Sequence, residues 1–325
     1  MKWLGLVVCC VAPVVWSDSA LVDFDLGLVY PAVLGGMECE QVEKYEAREL
    51  GYTLYYKRGE DFGLELSVFD LGRPSIETGH AVDGIAELMQ IVEHDHERQQ
   101  KVGAISNIRK RGATVVPKDG AVQFANTVYG FLQPREVDGG SKNVPRIESV
   151  YVTAAHHRFF KVRFTFDVAN GKDARLMAEQ FVEQLAAAIK GGRTEEELLL
   201  AACDVLVRDP ASYAGRSAAQ RISEKVLTMG NLNIYPHLFA WPDGFDKPAA
   251  ADLLVMAYMS GMLKVVIPRQ LASGGEAEGF AAMLAAYESL RKRDQIEALP
   301  KLDAWLKAPD KKALFQELLY QPVEE

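Results

Sequence analysis

Hydrophobic and polar positions follow two rhythms along this chain, and the change between them falls at Gly191 and Gly192. From Met37 to Phe166 the dominant period is two. In FFKVRFTFDV, Phe160, Val162, Phe164 and Phe166 alternate with Lys161, Arg163, Thr165 and Asp167, which sends rings to one side of a strand and charge to the other. GLELSVFD repeats the pattern with Leu64, Leu66 and Val68, and YTLYYK with Tyr52, Leu54 and Tyr56. Such strands predict an antiparallel sheet with one covered face and one wet face. KRGEDFG at 57–63 and AAHHR at 154–158 join strand-like runs through hairpin-sized turns.

Two stretches of helical period interrupt the strands. Residues 83–102 place Ile85, Leu88, Met89 and Val92 on one stripe and stop at Gly103, and residues 173–189 place Met177, Phe181, Leu185 and Ala188 on another. The expected fold of residues 37–190 is therefore α+β, an antiparallel sheet with two helices on one face. This order of elements resembles that of small sandwiches of the PsbP type, a likeness that implies a fold and not an activity.

KGGRTEEELL marks the expected boundary, because the two glycines end one helix and Thr194 with Glu197 forms a capping box for the next. Beyond it, SAAQRISEKVLTM carries Ala219, Ile222, Val226 and Met229 on one stripe, and GFAAMLAAYESLRKR carries Phe280, Met283, Leu284 and Tyr287. Residues 250–267 are apolar nearly all round, which predicts the central helix of a bundle, and Asp252 and Lys264 shorten the uncharged stretch below a membrane span. Shorter helices near Leu302–Leu306 and Lys311–Tyr320 complete an expected all-α helical bundle domain over residues 194–325.

The N-terminus changes the setting. Lys2 precedes fourteen apolar residues, Trp3 to Trp16, and the chain then turns polar, the outline of a signal peptide cleaved after Ser17. Residues 1–17 are thus read as the signal and 18–36 as a lead segment. The apolar run contains Pro13 and is shorter than the ~20 residues that cross hydrocarbon, so no membrane span is expected after cleavage. None of the six asparagines begins an Asn-x-Ser/Thr acceptor, which favours a bacterial envelope, and a periplasmic or secreted location is expected. With Cys9 and Cys10 removed, Cys39 and Cys203 remain, too few for a disulfide-built scaffold; whether they bridge stays open.

Charge and motif content narrow the function. The net charge of -9, from 36 basic and 45 acidic residues, disfavours nucleic acid as a partner. No Gly-x-Ser-x-Gly turn, phosphate-binding glycine loop, His-Glu-x-x-His helix or Cys-x-x-Cys pair occurs, and no cofactor is expected. EHDHE is the nearest approach to a metal motif, yet on a helix His94 and His96 lie ~200° apart about the axis and cannot hold one ion together. It is read as a solvated helix end. His156 and His157 occupy a hairpin tip. Lys161, Arg163 and Thr165, with Arg158 nearby, are read as the wet side of a strand.

The long connection NIYPHLFAWPDGFDKP offers Tyr235, His237, Phe239, Trp241 and Phe245 as candidate binding residues, because long aromatic loops either contact ligands or peg themselves to their own core. The expected function is that of an exported, non-catalytic binding protein with another envelope protein as partner. The alternatives are a hydrolase or metal-assisted enzyme drawing on His94, His96, His156, His157 or His237, and a carrier of a small apolar ligand.

Overall fold

The structure, a computed structural model, describes residues 19–59, 62–137, 140–229 and 248–319. The expected signal peptide and the aromatic residues from Tyr235 to Phe245 lie outside the described residues. The fold is mixed, with a large antiparallel sheet and eight α-helices among the described residues.

The period-two segments form two meanders that meet in the middle of one sheet. The first is β3 (Val33–Leu34), β4 (Met37–Lys44), β5 (Tyr52–Arg58) and β6 (Phe62–Phe69); the second is β7 (Ser106–Val116), β8 (Phe124–Val137), β9 (Gly140–Ala155) and β10 (Arg158–Asp167). Helix α1 (Ile85–Lys101) carries the chain from one to the other. β10 then pairs with β6, which gives the eight-stranded order β3-β4-β5-β6-β10-β9-β8-β7, antiparallel throughout. His156 and His157 form the β9–β10 turn with φ of 49° and 59°, as a primed hairpin turn requires. His156 Nε2 lies 2.8 Å from the Ile189 carbonyl, an acceptor, so this nitrogen donates.

Helix α2 (Gly171–Lys190) lays Met177, Phe181, Leu185 and Ile189 against Phe160, Val162, Phe164 and Phe166. Helix α1 packs Ile85, Leu88 and Val92 against Phe159, Val150, Val152 and Ala154. Phe159 and Phe160 are neighbours on one strand and face opposite ways. The two helices therefore cover opposite faces of the sheet, which corrects the expectation of two helices on one face and a second face left to solvent. The side of β10 that carries Lys161, Arg163 and Thr165 is not bare: Arg163 meets Glu148 of β9 and Asp95 of α1, and Thr165 meets the same Glu148.

The lead segment also has structure. β1 (Ser19–Asp23) and β2 (Leu28–Pro31) pair as a two-stranded hairpin that joins the apolar residues of α2 to those of α3 (Glu195–Arg208). α3 begins with the expected cap: Thr194 Oγ1 accepts from the Glu197 amide at 3.2 Å, and the Glu197 carboxylate accepts from the Thr194 amide at 2.9 Å. α4 (Tyr213–Met229), α5 (Pro248–Arg269), α6 (Glu276–Lys292), α7 (Pro300–Leu306) and α8 (Lys311–Leu319) follow.

α5 is long and apolar enough to cross a membrane by composition, and in the fold Leu254, Tyr258, Met262 and Val266 are buried. It crosses α6 closely. A Cβ on Gly261 would sit 2.3 Å from the Glu278 carbonyl oxygen, and one on Gly279 would sit 2.8 Å from that of Tyr258. One contiguous core runs from the α2 face of the sheet through the β1–β2 hairpin into these helices, while the α1 face has a separate, smaller core.

Candidate functional site

The α1 face changes character along the strands. β10 presents Phe159, Lys161, Arg163, Thr165 and Asp167 to it in order, and β9, running the other way, presents Ala154, Val152, Val150, Glu148 and Arg146. β8 adds Tyr129, Phe131, Gln133 and Arg135. The apolar ends lie under the first turns of α1, and the charged ends lie under and beyond its last turns. Glu65 of β6 sits opposite Arg163, Gly63 opposite Thr165, and Arg146 opposite Asp167.

α1 meets this gradient with one of its own. His96 follows Leu88 and Val92 at steps of four and is buried with them, 2% exposed. Its Nε2 lies 2.9 Å from Glu148 Oε1. A carboxylate only accepts, so this nitrogen carries the proton, while Nδ1 is buried with no partner. The ring stands edge-on to Tyr129 at 4.6 Å. Glu148 Oε2 accepts from Arg163 Nε at 2.8 Å and from Thr165 Oγ1 at 3.3 Å. Arg163 Nη2 reaches Asp95 Oδ2 at 3.4 Å, and Gln99 and Arg98 bond to the same carboxylate.

Burial works against the ionised form of Glu148, but hydrogen bonds from His96 and Arg163 and the Arg163 charge outweigh it and hold the carboxyl below the usual range. Asp95 is likewise held low against its own desolvation, by Arg98 and Arg163. Arg163 is raised because Glu148 and Asp95 more than offset its burial.

A second group lies farther along the same row. Arg146 Nη1 donates to Asp167 Oδ1 at 2.6 Å, and Arg135 Nη1 donates to Oδ2 of the same carboxylate at 3.3 Å. Arg146 is lowered, first by desolvation and then by the neighbouring Arg135, despite Asp167. Beyond the end of α1 the sheet face holds a cleft of about 400 Å³ whose walls include Tyr55, Glu65, Gln133, Arg135, Arg146 and Thr165.

EHDHE thus divides. His94 is exposed on the far side of α1, and His96 is part of a buried ion-pair network, so the solvated-end reading holds for the first and fails for the second. The two do not converge, and among the described residues no group of three or more His, Cys, Asp or Glu is placed to hold a metal. Cys39 and Cys203 are free thiols, each pushed up to about 12 by burial, so neither is poised as a nucleophile. Glu148, Arg146 and Arg135 are absent from the residues that the sequence pattern marks, and Asp167 appears there only on the charged side of its strand. The parity of RIESVYV, in which Arg146 and Glu148 share a strand face with apolar Val150 and Val152, is the signal for those two.

No protein-family model and no curated protein matches the chain. Among solved structures, a crystal structure from Bacteroides thetaiotaomicron VPI-5482 aligns over 71% of this chain and 79% of its own at 13% identity and a TM-score of 0.25. A likeness at that level carries no argument about fold or function.

Proposed function

We propose that the chain is an exported binding protein whose ligand sits on the half-covered floor beyond α1. Export is supported by Lys2 and the apolar run that follows it. In this reading residues 37–190 form the binding unit, and residues 194–325 form a helical bundle domain that buttresses its opposite face and offers the contact surface for an envelope partner. The observation that carries the binding site is the cleft itself. Charged side chains from β8, β9 and β10 converge there on a rigid sheet, in a pocket of about 400 Å³, within the size of small-molecule sites. The network supports binding over catalysis, because Glu148 has both oxygens engaged and His96 is closed off behind it.

Gly63 provides a plug. A Cβ there meets nothing within 4 Å and Gly63 lines the cleft, so Gly63→Trp is expected to fill the space beside Thr165. Native mass spectrometry of the mature chain from an exporting host should show an added mass that Gly63→Trp loses. Retention of the same mass by the plugged variant overturns the assignment.

A further inference from the structure

On one side of this floor each carboxylate oxygen already accepts a hydrogen bond, while a guanidinium donor is left without a partner. Glu148 Oε1 is taken by His96 and Oε2 by Arg163 and Thr165; Asp167 Oδ1 is taken by Arg146 and Oδ2 by Arg135; Asp95 is taken by Arg98, Gln99 and Arg163. A guanidinium has five N–H donors and no acceptor. Arg135 and Arg146 share one carboxylate between them, so two cations are balanced by one anion. Arg146 is 7% exposed and its Nε has no partner. A buried donor left in this state costs more than a formed hydrogen bond contributes. Gln133 adds an amide on the same wall, and Glu65 on β6 lies two strands from Arg146 and three from Arg135.

We infer that the Arg135–Arg146 corner of the cleft takes an oxyanion, a phosphate or carboxylate group of the ligand, which supplements Asp167 as the second anion of the pair. The inference rests on the cleft being the binding surface. Planar guanidinium forks suit a two-oxygen acceptor better than a point cation does. A free phosphate or carboxylate and the phosphate of a lipid headgroup share this chemistry, and the experiment separates them.

The full chain is titrated calorimetrically at low salt with inorganic phosphate and with citrate. In parallel it is sedimented with phosphatidylglycerol vesicles and with neutral phosphatidylcholine vesicles. Arg135→Gln is the main variant because its side chain is 44% exposed and its loss leaves the core intact; Arg146→Lys keeps the buried charge and removes the fork. Wild type is expected to bind a soluble anion, and each variant to weaken it by about tenfold or more, the scale of ~1.4 kcal/mol. Sedimentation with phosphatidylglycerol alone, lost in Arg135→Gln, assigns the same corner to a headgroup. The inference is overturned if wild type binds neither soluble anion nor anionic vesicles, or if Arg135→Gln binds as wild type does. An added native mass lost in Gly63→Trp but kept in Arg135→Gln would sink the oxyanion and leave the cleft standing, whereas a mass kept in Gly63→Trp sinks the cleft itself.

Discussion

The two faces of the sheet are built from the same strands and do different work. Under α2 the residues of β10 from Phe160 to Phe166 that face inward are aromatic or valine, and the core continues without a break into the β1–β2 hairpin and the later helices. Under α1 the same strand contributes one phenylalanine and then charge, and the helix is held by apolar contacts at its start and, toward its end, by the His96–Glu148 hydrogen bond and the Asp95–Arg163 ion pair. Apolar packing is non-directional and tolerates little but exclusion of water, whereas buried ion pairs fix geometry and leave polar groups at hand. The first face holds the fold together; the second leaves an open, polarised floor.

The largest effect is expected on the dry face. Phe181 is fully buried and stands edge-on to Tyr56 at 5.1 Å. Phe181→Ala should cost about 3–5 kcal/mol in urea unfolding. A loss no larger than that of a surface substitution would show that the α2 face does not carry the fold.

Next comes Glu148→Gln, which strands Arg163 and His96 and should cost about 3 kcal/mol. Its pH dependence has a definite sign. The Glu148 carboxyl is held low in the folded chain, so its contribution is complete above the unfolded value of roughly 4.3 and is lost as pH falls through the lower folded value. The stability gap between wild type and Glu148→Gln should therefore close in acid. A gap that persists there assigns the loss to packing and not to charge.

Smaller effects sharpen the picture. Thr194→Ala removes one half of the capping box and should cost about 1 kcal/mol in the same assay, without changing the α1 face. His94→Ala should stay within about 0.5 kcal/mol of wild type because the side chain is exposed. A loss from His94→Ala as large as that from Glu148→Gln would erase the distinction drawn within EHDHE.

These contrasts also mark what the sequence made legible. Caps and periodic stripes are local, so the Thr194–Glu197 box, the hairpin at His156–His157 and the span of α1 were readable from spacing. The face that α1 covers was not readable, because charge on Arg163 looks the same whether water or Glu148 answers it. The partner that buries His96 lies 52 residues away on another strand, and no local rhythm encodes that distance. A histidine at the next step of an apolar stripe, together with Arg146 and Glu148 in phase with Val150 and Val152, held the signal in fragments; only the strand register joins them.

The proposed ligand site lies on the α1 face of the sheet and not on the α2 face. Its most direct test is an NMR record of the arginine side-chain Nε signals of the full chain during titration with inorganic phosphate. Arg135 and Arg146 line the cleft, while Arg58 donates to the Met177 sulfur on the α2 side. The signals of Arg135 and Arg146 are expected to move together and saturate while that of Arg58 stays in place. Movement of Arg58 with the floor arginines unchanged would contradict it.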